Sequence, residues 1–180
     1  SWKKFLPDYE FVLWDLNSFN INKNIWVRQA FEAKKYAFAA DYIRLYAVYN
    51  YGGIYLDSDV EVVKSFNELL DLPYFIGSEG DGNIEAAVFG AEKHNPWLKK
   101  CLDYYTNKEF LKSKNLNNND SSNHKLYNVL TLPRIMHSQI SKIYKIKEMN
   151  NSNINYDYKL EDEKLYLFPF DFFCAKNNET

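Results

Sequence analysis

Residues Ala40 to Asp59 constrain this chain more than any other stretch: Ala-Asp-Tyr-Ile-Arg-Leu-Tyr-Ala-Val-Tyr-Asn-Tyr-Gly-Gly-Ile-Tyr-Leu-Asp-Ser-Asp. Its first part has helical spacing, and Asp41 and Arg44, three residues apart, share one helical face. Gly52-Gly53 ends that helix, as glycine does just past a helix C-terminus. A short apolar strand, Ile54 to Leu56, follows at once and runs into Asp57-Ser58-Asp59. Any fold of this chain must hold a helix, an immediate reversal and a strand whose tip carries two carboxylates.

The rest of the chain alternates similar pieces. Glu10 to Trp14 reads as a buried strand, bounded by Pro7-Asp8 and by Asp15-Leu16-Asn17. Helices are predicted over Trp26 to Tyr36 and Phe38 to Asn50. Val60 to Val63 is a short extended piece, and Phe66 to Leu70 a single helical turn. Tyr74 to Gly77 and Ala86 to Gly90 read as buried strands. Pro96 opens a helix to about Tyr105, where the missing N–H of proline is harmless. Asn115 to Asn123 is an asparagine and serine loop. Lys125 to Ser141 is predicted helical in two pieces around Pro133, with strands at Ile143 to Ile146 and Leu165 to Phe168. With no internal repeat and no linker, residues 1–180 form one domain. Alternating strands and helices predict an α/β layered fold with a largely parallel sheet. The chain starts at Ser1 with Trp-Lys-Lys-Phe-Leu-Pro, which reads as the last turn of a helix, and hence as an internal piece of a longer protein.

Composition narrows the function. The 180 residues are 46% hydrophobic and 18% aromatic, which suits a packed core rather than a disordered tail. A net charge of −2 without a lysine/arginine run is not that of a phosphate-tracking nucleic-acid binder. No segment approaches the ~20 apolar residues of a membrane span. Cys101 and Cys174 make neither a disulfide framework nor a zinc site, which fits a reducing, cytoplasmic setting.

In an extended segment Tyr55, Asp57 and Asp59 point to one face and Leu56 and Ser58 to the other. Two ionised carboxylates that close repel by about 2–3 kcal/mol at an effective dielectric near 20. Solvation, protonation or a cation relieves the conflict. A divalent metal taking oxygen ligands does so, and a nucleotide diphosphate completes its shell. The plainer reading is an acidic turn, where aspartate and serine are favoured anyway. Asp41 and Arg44 have two readings too. They form a surface ion pair worth a few tenths of a kcal/mol, or a pocket-edge pair whose guanidinium holds phosphate or sugar hydroxyls. Their neighbours Ala39, Ala40, Tyr42, Ile43, Leu45 and Tyr46 are apolar or aromatic. Gly52-Gly53 is either a simple helix stop or a reversal that brings Asp41, Arg44, Asp57 and Asp59 around one cavity.

This block resembles glycosyltransferase family 32, the sugar transferases containing the Asp-x-Asp motif. The shared residues run from Ala40-Asp41-Tyr42-Ile43-Arg44 through Tyr51-Gly52-Gly53-Ile54-Tyr55-Leu56-Asp57-Ser58-Asp59-Val60. The likeness is to capsular-polysaccharide (bacterial) and mannosyltransferase-like members, and more distantly to the large clostridial glucosylating toxins. It implies a GT-A fold, here without its first strand and C-terminal segment. It implies retaining transfer of a hexose from a UDP- or GDP-sugar, with Mn2+ or Mg2+, to a glycan or lipid-linked acceptor. Peripheral membrane association of the parent protein is compatible with it. By the same resemblance Asp59 is the principal metal ligand, and Asp57 contacts metal, ribose or sugar. Asp41 and Arg44 grip the donor sugar, which Tyr55 lines, with Gly52 and Gly53 in the donor-binding set. Asp57, Asp59 and Arg44 form the catalytic set. A toxin-like transferase with a protein acceptor and a non-catalytic nucleotide-sugar-binding remnant are the alternatives.

Other acids carry less. Glu79 and Asp81 read as a solvated loop after a strand. Glu85 enters an apolar strand and is either an acceptor-positioning carboxylate or a satisfied polar edge residue. His94 belongs to a helix-entry turn, while His124 and His137 lack an i,i+4 partner for zinc.

Overall fold

The computed structural model describes residues 2–80, 83–112, 127–152, 154, 156–158 and 163–173. In chain order the elements are α1 (Trp2–Phe5), α2 (Ile25–Glu32), α3 (Tyr36–Tyr51), β1 (Gly53–Leu56), β2 (Tyr74–Gly80), β3 (Asn83–Ala91), α4 (Pro96–Asp103), α5 (Leu132–Ile140), β4 (Lys145–Glu148), β5 (Lys164–Leu167) and α6 (Phe170–Phe173). Single 3-10 turns lie at Ile21–Lys23 and Asn67–Leu69.

Helix α2 starts where the Asn24 side chain accepts from the Val27 N–H at 3.1 Å, supplying one of the partners a helix start lacks. Its Trp26 is fully buried, and the indole N–H donates to the Phe38 carbonyl at 3.0 Å. Tyr105 and Phe110 pack edge-on against that indole, so α2, α3 and the end of α4 share one aromatic core. Helix α3 buries Ala39, Leu45, Ala47 and Val48. It stops at Gly52, whose N–H donates to the Val48 carbonyl at 2.8 Å with φ at +72°. A Cβ on Gly52 would lie 3.1 Å from the Lys93 backbone nitrogen. The helix therefore turns directly against the β3–α4 connection, and β1 begins one residue later.

Strand β3 is the centre of an antiparallel sheet of order β1-β3-β2. Both its faces are covered, which explains why it is buried almost throughout rather than on alternate residues. On one face Phe89 stacks on Tyr55 and meets Trp97 of α4. On the other, Gly90 makes room for the ring of its cross-strand neighbour Phe75, which stacks between Phe66 and Phe173. Strands β4 and β5 are parallel. Just past β5, the Phe168 N–H donates to the Ile76 carbonyl and its own carbonyl accepts from Ser78, joining the two sheets.

The larger sheet is thus antiparallel, not largely parallel as the alternation of elements predicts. The reason is local. Between β1 and β2 the chain makes only a 3-10 turn, and β2 runs into β3 across two residues, too few for a parallel crossover. Glu10 to Trp14 is not a strand. Phe11, Val12 and Leu13 are 42%, 62% and 78% exposed. The run is held by Trp2 stacking on Phe11 and by Trp14 against Tyr46 and Tyr51 instead. An apolar run does not itself specify a partner strand. Of the range Lys125 to Ser141, predicted as two helical pieces, the described residues 127–141 hold one helix, because Pro133 lies in the first turn of α5 and starts it instead of bending it. Glu79 lies within β2 rather than in a loop. Asp81, Asn115 to Asn123, His124 and Cys174 fall outside the described residues, while Cys101 is buried in the core.

Gly52→Ala combines a positive φ with a backbone contact that would have to give by a few tenths of an ångström to admit a methyl group. We expect it to lower stability by about 1–3 kcal/mol, measured by urea denaturation. An unchanged midpoint would show that the reversal tolerates an ordinary residue.

Candidate active site

Arg44 projects from α3 onto the end of β1 and is held on four sides. Its guanidinium lies 4.6 Å over the Tyr55 ring. Nη1 donates to Asp57 Oδ2 at 3.2 Å, lies 3.1 Å from Oδ1, and donates to the Ala86 carbonyl at 3.0 Å. Nη2 lies 3.5 Å from Asp41 Oδ1, one turn back on the helix. The Arg44 side chain is only 10% exposed. A guanidinium taken that far out of water is tolerated only with such partners. Its Nε is buried and without a hydrogen bond among the described residues.

Asp57 is the common partner. The Tyr55 hydroxyl donates to its Oδ1 at 2.5 Å, as expected for two residues on one face of an extended segment. Burial pushes the Tyr55 phenol upward, against the lowering effect of Arg44. Burial also raises the Asp41 carboxyl to about 6, with Asp57 adding to the shift and Arg44 opposing it.

Asp59 is placed differently from its two neighbours. Strand β1 ends at Leu56, and the Val60 N–H donates to the Asp57 carbonyl at 3.1 Å, closing a turn. Asp59 thus rides on a turn, not on the alternation of a strand. It is exposed and forms no hydrogen bond or ion pair among the described residues. Serine and aspartate favour such turns, and this overrides the extended geometry read from spacing alone. The Trp2 indole N–H donates to the Val60 carbonyl at 2.7 Å and ties α1 to the same turn.

The fold therefore brings Asp41, Arg44, Tyr55 and Asp57 into contact, with Asp59 on the adjoining turn. Gly52 and Gly53 are not brought to it. Gly53 pairs with Ala91 at the opposite end of β1, so the glycines shape the reversal and do not line the cluster. The Ala86 carbonyl carries no side-chain signal and was invisible to sequence reasoning. Tyr105, which the spacing places only at the end of a helix, has a buried hydroxyl that lacks a partner among the described residues and feels the charge of Asp41. Two open surface grooves lie elsewhere, one between the end of α5 and β4, the other between residues 4–9 and Val63 to Asn67.

Among the described residues no three His, Cys, Asp or Glu side chains form a complete metal cage. Mg2+ and Mn2+ at phosphate sites need only one or two carboxylates, with phosphate and water supplying the rest. An unengaged Asp59 beside an anchored Asp57 fits that donor set.

Residues 1–76, which contain this whole cluster except Ala86, match the family described as the glycosyltransferase sugar-binding region containing a DXD motif. Inositol phosphoceramide mannosyltransferase 3 of Schizosaccharomyces pombe is 33% identical over 100 residues, 53% of this chain and 28% of that protein. A mannosyl phosphorylinositol ceramide synthase of Saccharomyces cerevisiae is 31% identical over 100 residues, 53% of this chain and 26% of the relative. An uncharacterized protein of Arabidopsis thaliana is 35% identical over 80 residues, 44% of this chain and 12% of its own length. The chain spans under a third of the length of each of these relatives. No solved structure matches. The family 32 resemblance stands on these findings, while its toxin and bacterial capsular branches have no counterpart among these fungal and plant relatives.

The raised Asp41 carboxyl gives a pH signature. The folded state favours its neutral form, so this group's contribution to stability falls as pH rises from about 4 through 6 and is lowest above that. Asp41→Asn removes the titration, while Arg44 keeps Asp57. The variant should gain on wild type by roughly 1–3 kcal/mol between pH 4 and pH 7.5, read from thermal melts across that range. A difference that does not change with pH would refute the assignment.

Proposed function

We propose that this chain, whose first 76 residues belong to the DXD-containing glycosyltransferase sugar-binding family, is the donor-binding part of a metal-dependent, retaining hexosyltransferase of GT-A fold. The observation that carries the reading is the fourfold hold on Arg44, which fixes a cation beside the carboxylate turn at the end of β1.

Each residue then has a task. Asp59, exposed and unengaged among the described residues, would hold a divalent ion together with the diphosphate of a nucleotide sugar. Asp57, oriented by Tyr55 and Arg44, would assist in holding that ion or accept from the ribose. Mn2+ or Mg2+, when bound, acts as a Lewis acid that screens the charge of the departing diphosphate. Arg44 presents a fixed positive fork to phosphate or sugar oxygens, and its unpaired buried Nε–H gains from one. Asp41, ionised for the most part at neutral pH, accepts from sugar hydroxyls. Positioning and electrostatics of this kind, fixed before the donor arrives, act most strongly in a site shielded from water.

The relatives' names favour mannose as the sugar and a lipid-borne inositol phosphate as the acceptor, over a capsular glycan. A lipid-linked acceptor brings peripheral membrane association with it. No helix among the described residues is long and apolar enough to cross a bilayer. Because the chain spans under a third of these relatives, a piece that binds the donor without transferring it is the second reading.

Titration calorimetry with GDP-mannose and UDP-glucose, with and without Mn2+, tests the site in this chain. Binding should require the metal, and Asp59→Ala should weaken it by at least about tenfold. Arg44→Lys, which keeps the charge but loses the fork, should also bind weakly. Equal affinity with and without Mn2+, or an Asp59→Ala variant that binds as wild type, would remove the proposal. Sugar release by a longer, complete protein separates the transferase from the binding module.

A further inference from the structure

We propose that Glu85 is a positioning residue: its carboxylate ends the β1–β3 ladder one bond early and so sets the turn that carries Asp59. In an antiparallel ladder every second pair of facing residues exchanges two N–H···O bonds. Tyr55 faces Phe89 and Leu56 faces Val88, so the next facing pair is Asp57 with Ala87. Only half of that pair is made. The Asp57 N–H donates to the Ala87 carbonyl at 2.8 Å. The Ala87 N–H, which should return the bond to the Asp57 carbonyl, donates instead to Glu85 Oε1 at 2.6 Å. The Asp57 carbonyl, released from the ladder, accepts from the Val60 N–H and closes the turn.

The competition has a clear winner on physical grounds. A carboxylate is a stronger acceptor than a neutral carbonyl, roughly by a factor of two. Glu85 is 6% exposed, so little water competes for its oxygens. Side chains that bond to the backbone two residues on are known to displace regular structure. Without the carboxylate, Ala87 would regain the Asp57 carbonyl and β1 would lengthen, and the extended backbone of the longer strand would carry the Val60 N–H away from that carbonyl. Ser58 and Asp59 would be drawn toward extended geometry. Glu85 thus acts on the carboxylate turn through the backbone. The functional half of this inference rests on Asp59 as the metal-binding acid, while the ladder half stands without it.

NMR of the 180-residue chain decides the ladder half. In wild type, a through-hydrogen-bond coupling should connect the Ala87 amide nitrogen to the Glu85 carboxyl carbon. A coupling to the Asp57 carbonyl carbon instead would overturn the proposal, and this measurement needs no variant to fold. Glu85→Met keeps the bulk and removes the acceptor. It should transfer the Ala87 coupling to Asp57 and speed Val60 amide exchange at least about tenfold, whereas Glu85→Gln, which retains an oxygen, should preserve both. Val60 exchange that is equal in wild type and Glu85→Met would also overturn it. Mn2+ affinity in the presence of GDP or UDP, at matched melting temperature, reads the functional half. It should fall about tenfold in Glu85→Met and recover in Glu85→Gln. Unchanged affinity with an altered turn would show that the turn does not set the site. Absence of Mn2+ binding by wild type would sink the transferase reading and leave the coupling and exchange to judge Glu85.

Discussion

The buried guanidinium of Arg44 is the constraint on which the rest of the site depends. A charge removed from water to this extent has to be met by opposite charge, by oriented dipoles or by a π face, and here it meets all three. Because its partners come from α3, β1 and β3, the requirement to satisfy one side chain fixes three elements against each other. The helix stop at Gly52 makes this geometry reachable. It brings β1 back beneath the helix within a single residue, so a cation on the helix and a carboxylate at the strand tip approach across a short span.

A second consequence concerns the two carboxylates of the Asp-x-Asp turn. They are one residue apart in sequence and chemically alike, yet the fold gives them opposite circumstances. Asp57 is half-buried and committed to Tyr55 and Arg44. Asp59 stands in solvent on a turn pinned by Val60 and, through it, by the indole of Trp2. One acid is engaged by its neighbours, and the other by none among the described residues. The repulsion expected between adjacent carboxylates is reduced by giving only one of them an arginine.

Legibility from sequence followed the range of the interactions involved. Helix α3, its glycine stop, strand β1 and the proline-led α4 were all read within a residue or two, since spacing, φ preference and a missing N–H act over a few positions. The placement of Asp41 beside Arg44 was legible for the same reason. Sheet direction was not, because it depends on which strands meet, and a run such as Phe11 to Leu13 looks the same whether or not a neighbour exists. Glu85 illustrates the limit well. Its acidic side chain in an apolar strand was noticeable, but its bond to the Ala87 N–H depends on cross-strand register that no local pattern encodes.

The sequence by itself determined the local pieces: an acid and a base on one helical turn, a glycine reversal, a strand ending in Asp-Ser-Asp, and the family likeness these carry. The tertiary structure alone decided which carboxylate Arg44 would take, where the β1 ladder would end, and how far Asp41 would be withdrawn from water. The division has a physical basis. Backbone sterics and turn chemistry are settled by near neighbours along the chain, whereas desolvation, ion pairing and strand register depend on what packing brings from dozens of residues away.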